Sequence, residues 1–179
     1  MNILIAYATT EGQTRKICRF CADVLIDEGH SVELLDVGDD DGLDLGRFDA
    51  AILAASLHLG TFQKDMGEFA KTHGNGLAGL RTMFLSVSLA VASGEAKDLA
   101  ELDRICGRFF DETGWRPDQL IHVAGAFRFT QYDFFKSLAM RWIAHQQGQD
   151  VDPTKDREYT DWQALRRAVL TLAGPAGSS

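Results

Sequence analysis

Short continuous apolar runs alternate along the chain with longer stretches whose apolar positions fall three and four apart. The runs at residues 2–7, 31–37, 48–56, 81–89 and 119–127 predict five strands, the first and third buried on both faces. Residues 15–28 carry Ile17, Cys18, Cys21, Val24 and Leu25 at helical spacing, and Gly29 is placed to end that helix. Further helices are predicted over 64–73, 98–113 and 162–172; the 98–113 segment carries Leu99, Leu102, Ile105, Cys106, Phe109 and Phe110 at helical spacing. Strands alternating with helices predict an α/β doubly wound parallel sheet in the order 2-1-3-4-5. Such a sheet carries its ligand at the switch between strands 1 and 3. Residues 130–159 break the alternation and read as an insertion in a single domain spanning 1–173, with a disordered tail at 174–179.

Composition narrows the class. A chain of 179 residues fits one full-sized core. Its net charge of −8 argues against nucleic acid as the main partner, which calls for a basic face. No segment approaches the ~18 consecutive apolar residues of a membrane span. The N-terminal residues lack the basic flank of a secretory signal. Three cysteines, an odd number, suit a reducing compartment better than a disulfide framework. The expected location is cytoplasmic, with peripheral contact at the inner face of the cell membrane left open.

Three loops fall at the carboxyl edge of the predicted sheet. The first, Thr9-Thr10-Glu11-Gly12-Gln13-Thr14, joins strand 1 to the first helix. An anion there meets free backbone N–H groups and the positive end of the helix dipole, and the threonine hydroxyls add donors. The loop lacks the lysine of a nucleoside-triphosphate P-loop and is not a G-x-G-x-x-G turn. Taken alone it is equally a polar turn that caps a helix. The second loop, Ser56-Leu57-His58-Leu59-Gly60, leads to Thr61 and Phe62, and the third comprises Ser88, Leu89, Ala90 and Val91. A flavin needs apolar walls, for which Leu59 and Phe62 are candidates, and backbone donors, for which 88–91 is placed.

The run Thr9-Thr10-Glu11-Gly12-Gln13-Thr14-Arg15 resembles the FMN phosphate loop of flavodoxins, T-x-T-G-x-T, with Glu11 at the second threonine. The whole chain is similar to the flavodoxin-like, quinone-dependent protoporphyrinogen oxidases. The residues that carry this are Ala55-Ser56 with Gly60, then Ser86-Val87-Ser88-Leu89-Ala90 and Trp115-Arg116-Pro117-Asp118. Ala124-Gly125-Ala126 with Arg128 and Tyr132 follow, and Glu158-Tyr159-Thr160-Asp161-Trp162 completes the series. The resemblance implies a flavodoxin-like fold and FMN as cofactor. It further implies a two-electron dehydrogenation repeated on a porphyrinogen, with a menaquinone or ubiquinone as acceptor. The flavin carries that chemistry, and no general base is assigned. Two departures bear on specificity: Leu59 stands where the family pattern has an aromatic residue, and residues 93–98 are nearly neutral where it is basic. A general FMN quinone reductase or electron carrier, and a non-catalytic flavodoxin-like module, are the alternative readings.

Residues 132–147 set Phe134, Phe135, Leu138, Ala139, Trp142 and Ile143 on one helical face. This is either a helix packed over the domain or an amphipathic helix that meets quinone, porphyrin or membrane. In the second case Arg128, Lys136 and Arg141, with Phe62, are the candidate substrate contacts. Cys18 and Cys21 lie within the first helix and read as buried apolar residues, not as a redox pair. The histidines have no metal-ligand spacing, so no metal is expected; His58 alone lies on a ligand loop.

Overall fold

Six consecutive residues, Ile3 to Ala8, are buried although side chains of a strand alternate between faces. A strand can bury both faces only inside a sheet covered on both sides, and that is where β1 (Asn2–Ala8) lies. The computed structural model describes residues 1–9, 12–127 and 157–174. Its main sheet is parallel throughout and runs β2 (Ser31–Asp36), β1, β3 (Ala50–Ser56), β4 (Arg81–Ser88), β5 (Gln119–Ala124). This is the predicted order.

Alternation splits the core into two layers. Ile3, Ile5 and Tyr7, with Ala50, Ile52, Ala54, Met83, Leu85 and Val87, face helices α1 (Gln13–Asp27) and α4 (Trp162–Ala173). Leu4, Ala6 and Ala8, with Ala51, Leu53, Ala55 and Phe84, face α2 (Lys64–Leu77) and α3 (Ala96–Thr113). Phe84 anchors the second layer, its ring 5.4 Å from Phe109, 5.5 Å from Phe110 and 6.2 Å from Trp115.

Two elements depart from their predicted bounds for identifiable reasons. Helix α2 continues past His73 through Gly74 and Gly76 to the buried Leu77. A side chain at Gly76 would stand 2.8 Å from Leu45 Cδ1, so the glycine that reads as a breaker is what lets the helix approach Leu45. Strand β5 stops at Ala124, short of the predicted Phe127. Ala126–Phe127 form a separate strand, β6, antiparallel to β7 (Arg157–Glu158). The predicted insertion boundary at 159 therefore falls inside a segment already tied to the scaffold. Tyr159 N–H donates to the Gly125 carbonyl and Thr160 Oγ1 to that of Ala124. Gly174, assigned to the tail by sequence, accepts from Arg81 Nη1 at 2.6 Å. Arg128, Lys136, Arg141 and the helix proposed over 132–147 lie outside the described residues, as do Thr10, Glu11 and the residues after 174.

The start of β5 is clamped to β4 by Asp118. Its Oδ2 accepts from Thr82 N–H at 2.7 Å and from Thr82 Oγ1, while Asp118 N–H donates back to Thr82 Oγ1 at 3.0 Å. Asp118→Ala leaves both Thr82 donors without this acceptor. It is expected to lower stability in urea by about 1–3 kcal/mol, with Asp118→Asn intermediate. Parental stability in the alanine variant would contradict the clamp.

Candidate functional site

Because the strands are parallel, the loops that leave β1, β3, β4 and β5 emerge at one edge, and there they enclose a cleft of about 280 Å³. Thr9, Gln13 and Thr14 line it from the first loop, Ser56 to Gly60 from the second, and Val87 to Ala90 from the third. Gly125 and Ala126 complete the wall.

The first loop closes on itself and leaves the start of α1 uncapped by any side chain. Thr9 Oγ1 accepts from the Gly12 N–H at 3.0 Å and closes the turn. Gly12 takes φ 83°, a left-handed conformation in which an L side chain is strained, and opens α1 with no side-chain cap. The N–H groups of the first helical turn are thus not spent on a side chain. Thr14 lies in that turn, 1% exposed, and its Oγ1 is a buried hydroxyl with no hydrogen-bond partner. A lost hydrogen bond of this kind costs about 1–3 kcal/mol, so an unfilled hydroxyl facing a cleft marks a place for an acceptor.

The second loop is a tight reversal. His58 and Thr61 exchange backbone hydrogen bonds at 2.9 and 3.0 Å. Between them Leu59 (φ 48°) and Gly60 (φ 80°) take the paired positive angles of a type I′ turn. Gly60 does this freely; Leu59 does not, and its side chain is 83% exposed at the tip. The loop stays on the sheet edge through Leu57 N–H, which donates to the Val87 carbonyl at 2.8 Å. Beneath it Ser56 Oγ lies 3.2 Å from His58 Nε2 and accepts from Gln63 Nε2 at 2.5 Å.

The third loop turns through a 3₁₀ segment, Leu89–Ser93, in which Ser88 Oγ accepts the Ala90 N–H at 3.1 Å. That N–H is therefore engaged within the loop. Leu89 and Ala90 still wall the cleft, but Val91 is not among its lining residues.

Phe62 corrects a sequence expectation. Its ring packs edge-on against Phe84 at 5.2 Å and Phe109 at 5.1 Å, in the α2–α3 layer. It lines a separate groove with Lys71 and Arg108. The turn at Leu59-Gly60 reverses the chain, so Phe62 enters the core behind the loop and does not wall the cleft. Gly125 and Ala126, not predicted as contacts, do line it; the signal was their place at the end of the last strand. Val87, also not predicted, is the last β4 residue but one.

The cleft floor is tied to the far end of the chain. Gln13 Nε2 donates to Thr160 Oγ1 at 3.3 Å, which in turn donates to the Ala124 carbonyl at 2.7 Å. Glu158 accepts from Lys16 and from Trp162 Nε1. Burial raises its carboxyl, but the hydrogen bond and charge of Lys16, with bonds from Trp162 and Gln13, outweigh that and hold it below the usual range. Cys18 and Cys21 have no part here. Burial lifts the Cys18 thiol well above its ordinary range and Cys21 to about 12, so both stay protonated at neutral pH.

A five-stranded parallel sheet in the order 2-1-3-4-5, with a cleft at its carboxyl edge, is the architecture of a flavodoxin-type domain. Residues 4–154 match the flavodoxin domain family model, and the chain belongs to that family. Membership in it implies FMN as the cofactor. The chain is also 29% identical over 173 residues to protoporphyrinogen IX dehydrogenase (quinone) of Escherichia coli K12, covering 97% of this chain and 95% of that one. It is 30% identical over 178 residues to the protein of the same name from Leishmania major, covering 96% and 77%. Among solved structures it shares the fold of a Streptococcus pneumoniae TIGR4 flavodoxin, with a TM-score of 0.56, 19% identity and 97% and 98% coverage. No helix among the described residues is long and apolar enough to cross a membrane.

The strain at Leu59 is testable without any ligand. Leu59→Asn places the residue preferred before glycine in a type I′ turn. It is expected to raise stability in chemical unfolding by about 0.5–1 kcal/mol. An unchanged or lowered stability would mean the turn is not strained.

Proposed function

We propose that the chain is an FMN-dependent oxidoreductase that passes electrons from a porphyrinogen to a quinone. The observation that carries the cofactor assignment is the buried Thr14 hydroxyl, unpartnered at an uncapped helix N-terminus and lining the cleft. A phosphate oxygen there accepts from this hydroxyl and from first-turn N–H groups, and its charge meets the positive end of the helix. Thr9, Gln13 and Thr14 hold the phosphate. Thr10, Gly12 and Glu11 belong to the same loop. Leu57, Leu59, Leu89 and Ala90 offer the flavin apolar contact, and the backbone at Ser56, Gly60 and Ser88 borders its polar edge. Bound FMN supplies two-electron hydride chemistry, and the chain positions the reactants and excludes water.

The relatives' shared name supports the porphyrinogen and the quinone as reactants. The described lining residues include no lysine or arginine. Such a neutral, apolar cleft suits a flavin and a quinone ring. For the carboxylates of a porphyrinogen the proposed partners remain Arg128, Lys136 and Arg141. The neutral cleft is also what favours the second reading, a quinone reductase with another donor.

Thr14→Val separates cofactor binding from folding. Removing an unsatisfied buried hydroxyl is expected to leave the apoprotein as stable or slightly more so. FMN affinity, measured by quenching of flavin fluorescence, is expected to fall about 10-fold or more. Equal FMN affinity would refute the phosphate seat. In an anaerobic assay with protoporphyrinogen and menaquinone or ubiquinone analogues, porphyrin fluorescence should appear only with both FMN and quinone. Quinone reduction by a simpler donor, without porphyrin, would favour the second reading.

A further inference from the structure

We propose that His58 donates the proton that completes quinone reduction; this rests on the FMN–quinone reading above. His58 is the only ionisable side chain among the described residues that line the cleft. Its backbone is fixed by the reciprocal bonds to Thr61, and Thr61 Oγ1 adds a third, to the His58 carbonyl at 3.1 Å. The ring is oriented from below by Ser56 Oγ, 3.2 Å from Nε2, and Ser56 is itself held by Gln63.

The chemical type of that partner matters. A hydroxyl accepts from a protonated ring nitrogen and donates to a bare one, so Ser56 serves the imidazole in either state. The other described histidines are placed differently. His73 bonds to Asp40 at 2.8 Å and His122 to Asp103 at 2.9 Å, while His30 meets the chain's amino terminus, all away from the cleft. The nearest charged neighbours in sequence, Lys64 and Asp65, start α2; Lys64 is paired with Glu68 and lines the separate groove behind the loop.

Quinone reduction to quinol takes two electrons and two protons. Both electrons and one hydrogen would arrive as a hydride equivalent from the reduced flavin, an N–H bond of the flavin breaking as one bond to the quinone forms, which leaves oxidised flavin and a quinol anion. The second proton leaves Nδ1 of the His58 imidazolium for the quinol oxygen, while Nε2–H keeps its bond to Ser56. The neutral imidazole, half-buried at the mouth of the cleft, is then reprotonated from water. No further oxidant or reductant is required.

The test compares re-oxidation of the reduced, FMN-loaded protein by menadione and by ferricyanide, which takes electrons without protons. In His58→Gln, which can still bond to Ser56, the menadione-to-ferricyanide rate ratio is expected to fall about 100-fold or more. In His58→Ala the fall should be similar, and added imidazole should restore much of it. Independently of turnover, the His58 ring signals in NMR spectra of the oxidised protein should move on addition of menadione, while those of His73 and His122 stay in place. An unchanged rate ratio in His58→Gln, or a His58 ring insensitive to menadione, overturns the proposal while leaving the cofactor assignment intact. Failure to take up FMN would instead overturn the reading on which it rests.

Discussion

A parallel sheet buried on both faces has no solvated side, and this constraint organises the rest of the molecule. Its inner strands β1 and β3 are almost wholly apolar, so polar chemistry gathers at the edge where the chain leaves the sheet. Four loops leave at that edge, and each closes its local backbone bonds in its own way. Thr9 caps Gly12, His58 pairs with Thr61, Ser88 takes the Ala90 N–H, and Gly125 donates to the Ser88 carbonyl at 3.2 Å. Among the described residues that line the cleft, the group left unfilled is the Thr14 hydroxyl. The position of that one group follows from the sheet order, because β1 lies between β2 and β3 and its loop opens at the switch.

Two of the runs that carry the family resemblance, 115–118 and 158–162, do not line the cleft. Asp118 of the Trp-Arg-Pro-Asp run clamps the start of β5 to Thr82. Trp115 packs under Phe84 and Phe110. In the Glu158–Trp162 run, Glu158 and Trp162 bond to each other, Asp161 caps α4 through the Ala164 N–H, and Thr160 bridges Gln13 to Ala124. Glu158 and Thr160 hold the return leg of the chain against the start of α1. Their chemistry is therefore recognisable while their contribution to the reaction is indirect. Leu59 and the neutral stretch at 93–98 are where the chain departs from the family pattern.

Sheet order, helix faces and the three loops were legible in the sequence because hydrophobic periodicity reports burial, and burial is what the sheet dictates. Side-chain direction after a turn was not. Phe62 and Leu59 both read as flavin walls, yet the type I′ turn points Phe62 into the α2–α3 core while Leu59 stays at the exposed tip and lines the cleft. Periodicity is blind to a reversal of two residues. The end of β5 was missed for a related reason: Ala126–Phe127 are apolar, but their partner changes from β4 to a strand about thirty residues later. Gly76 shows the converse, a glycine whose role is close packing against Leu45 where composition suggests a break. His58 was legible as a loop histidine; its tie to Ser56 needed coordinates.

The central claim is that the Thr9–Thr14 turn holds a phosphate and thereby fixes a flavin in the cleft. Comparing FMN with riboflavin, by calorimetric titration of the apoprotein, isolates the phosphate because the two ligands share the same ring and ribityl chain. If the account is right, FMN binds about 100-fold more tightly or better, the equivalent of two charge-assisted hydrogen bonds. Equal affinity for the two ligands would contradict it.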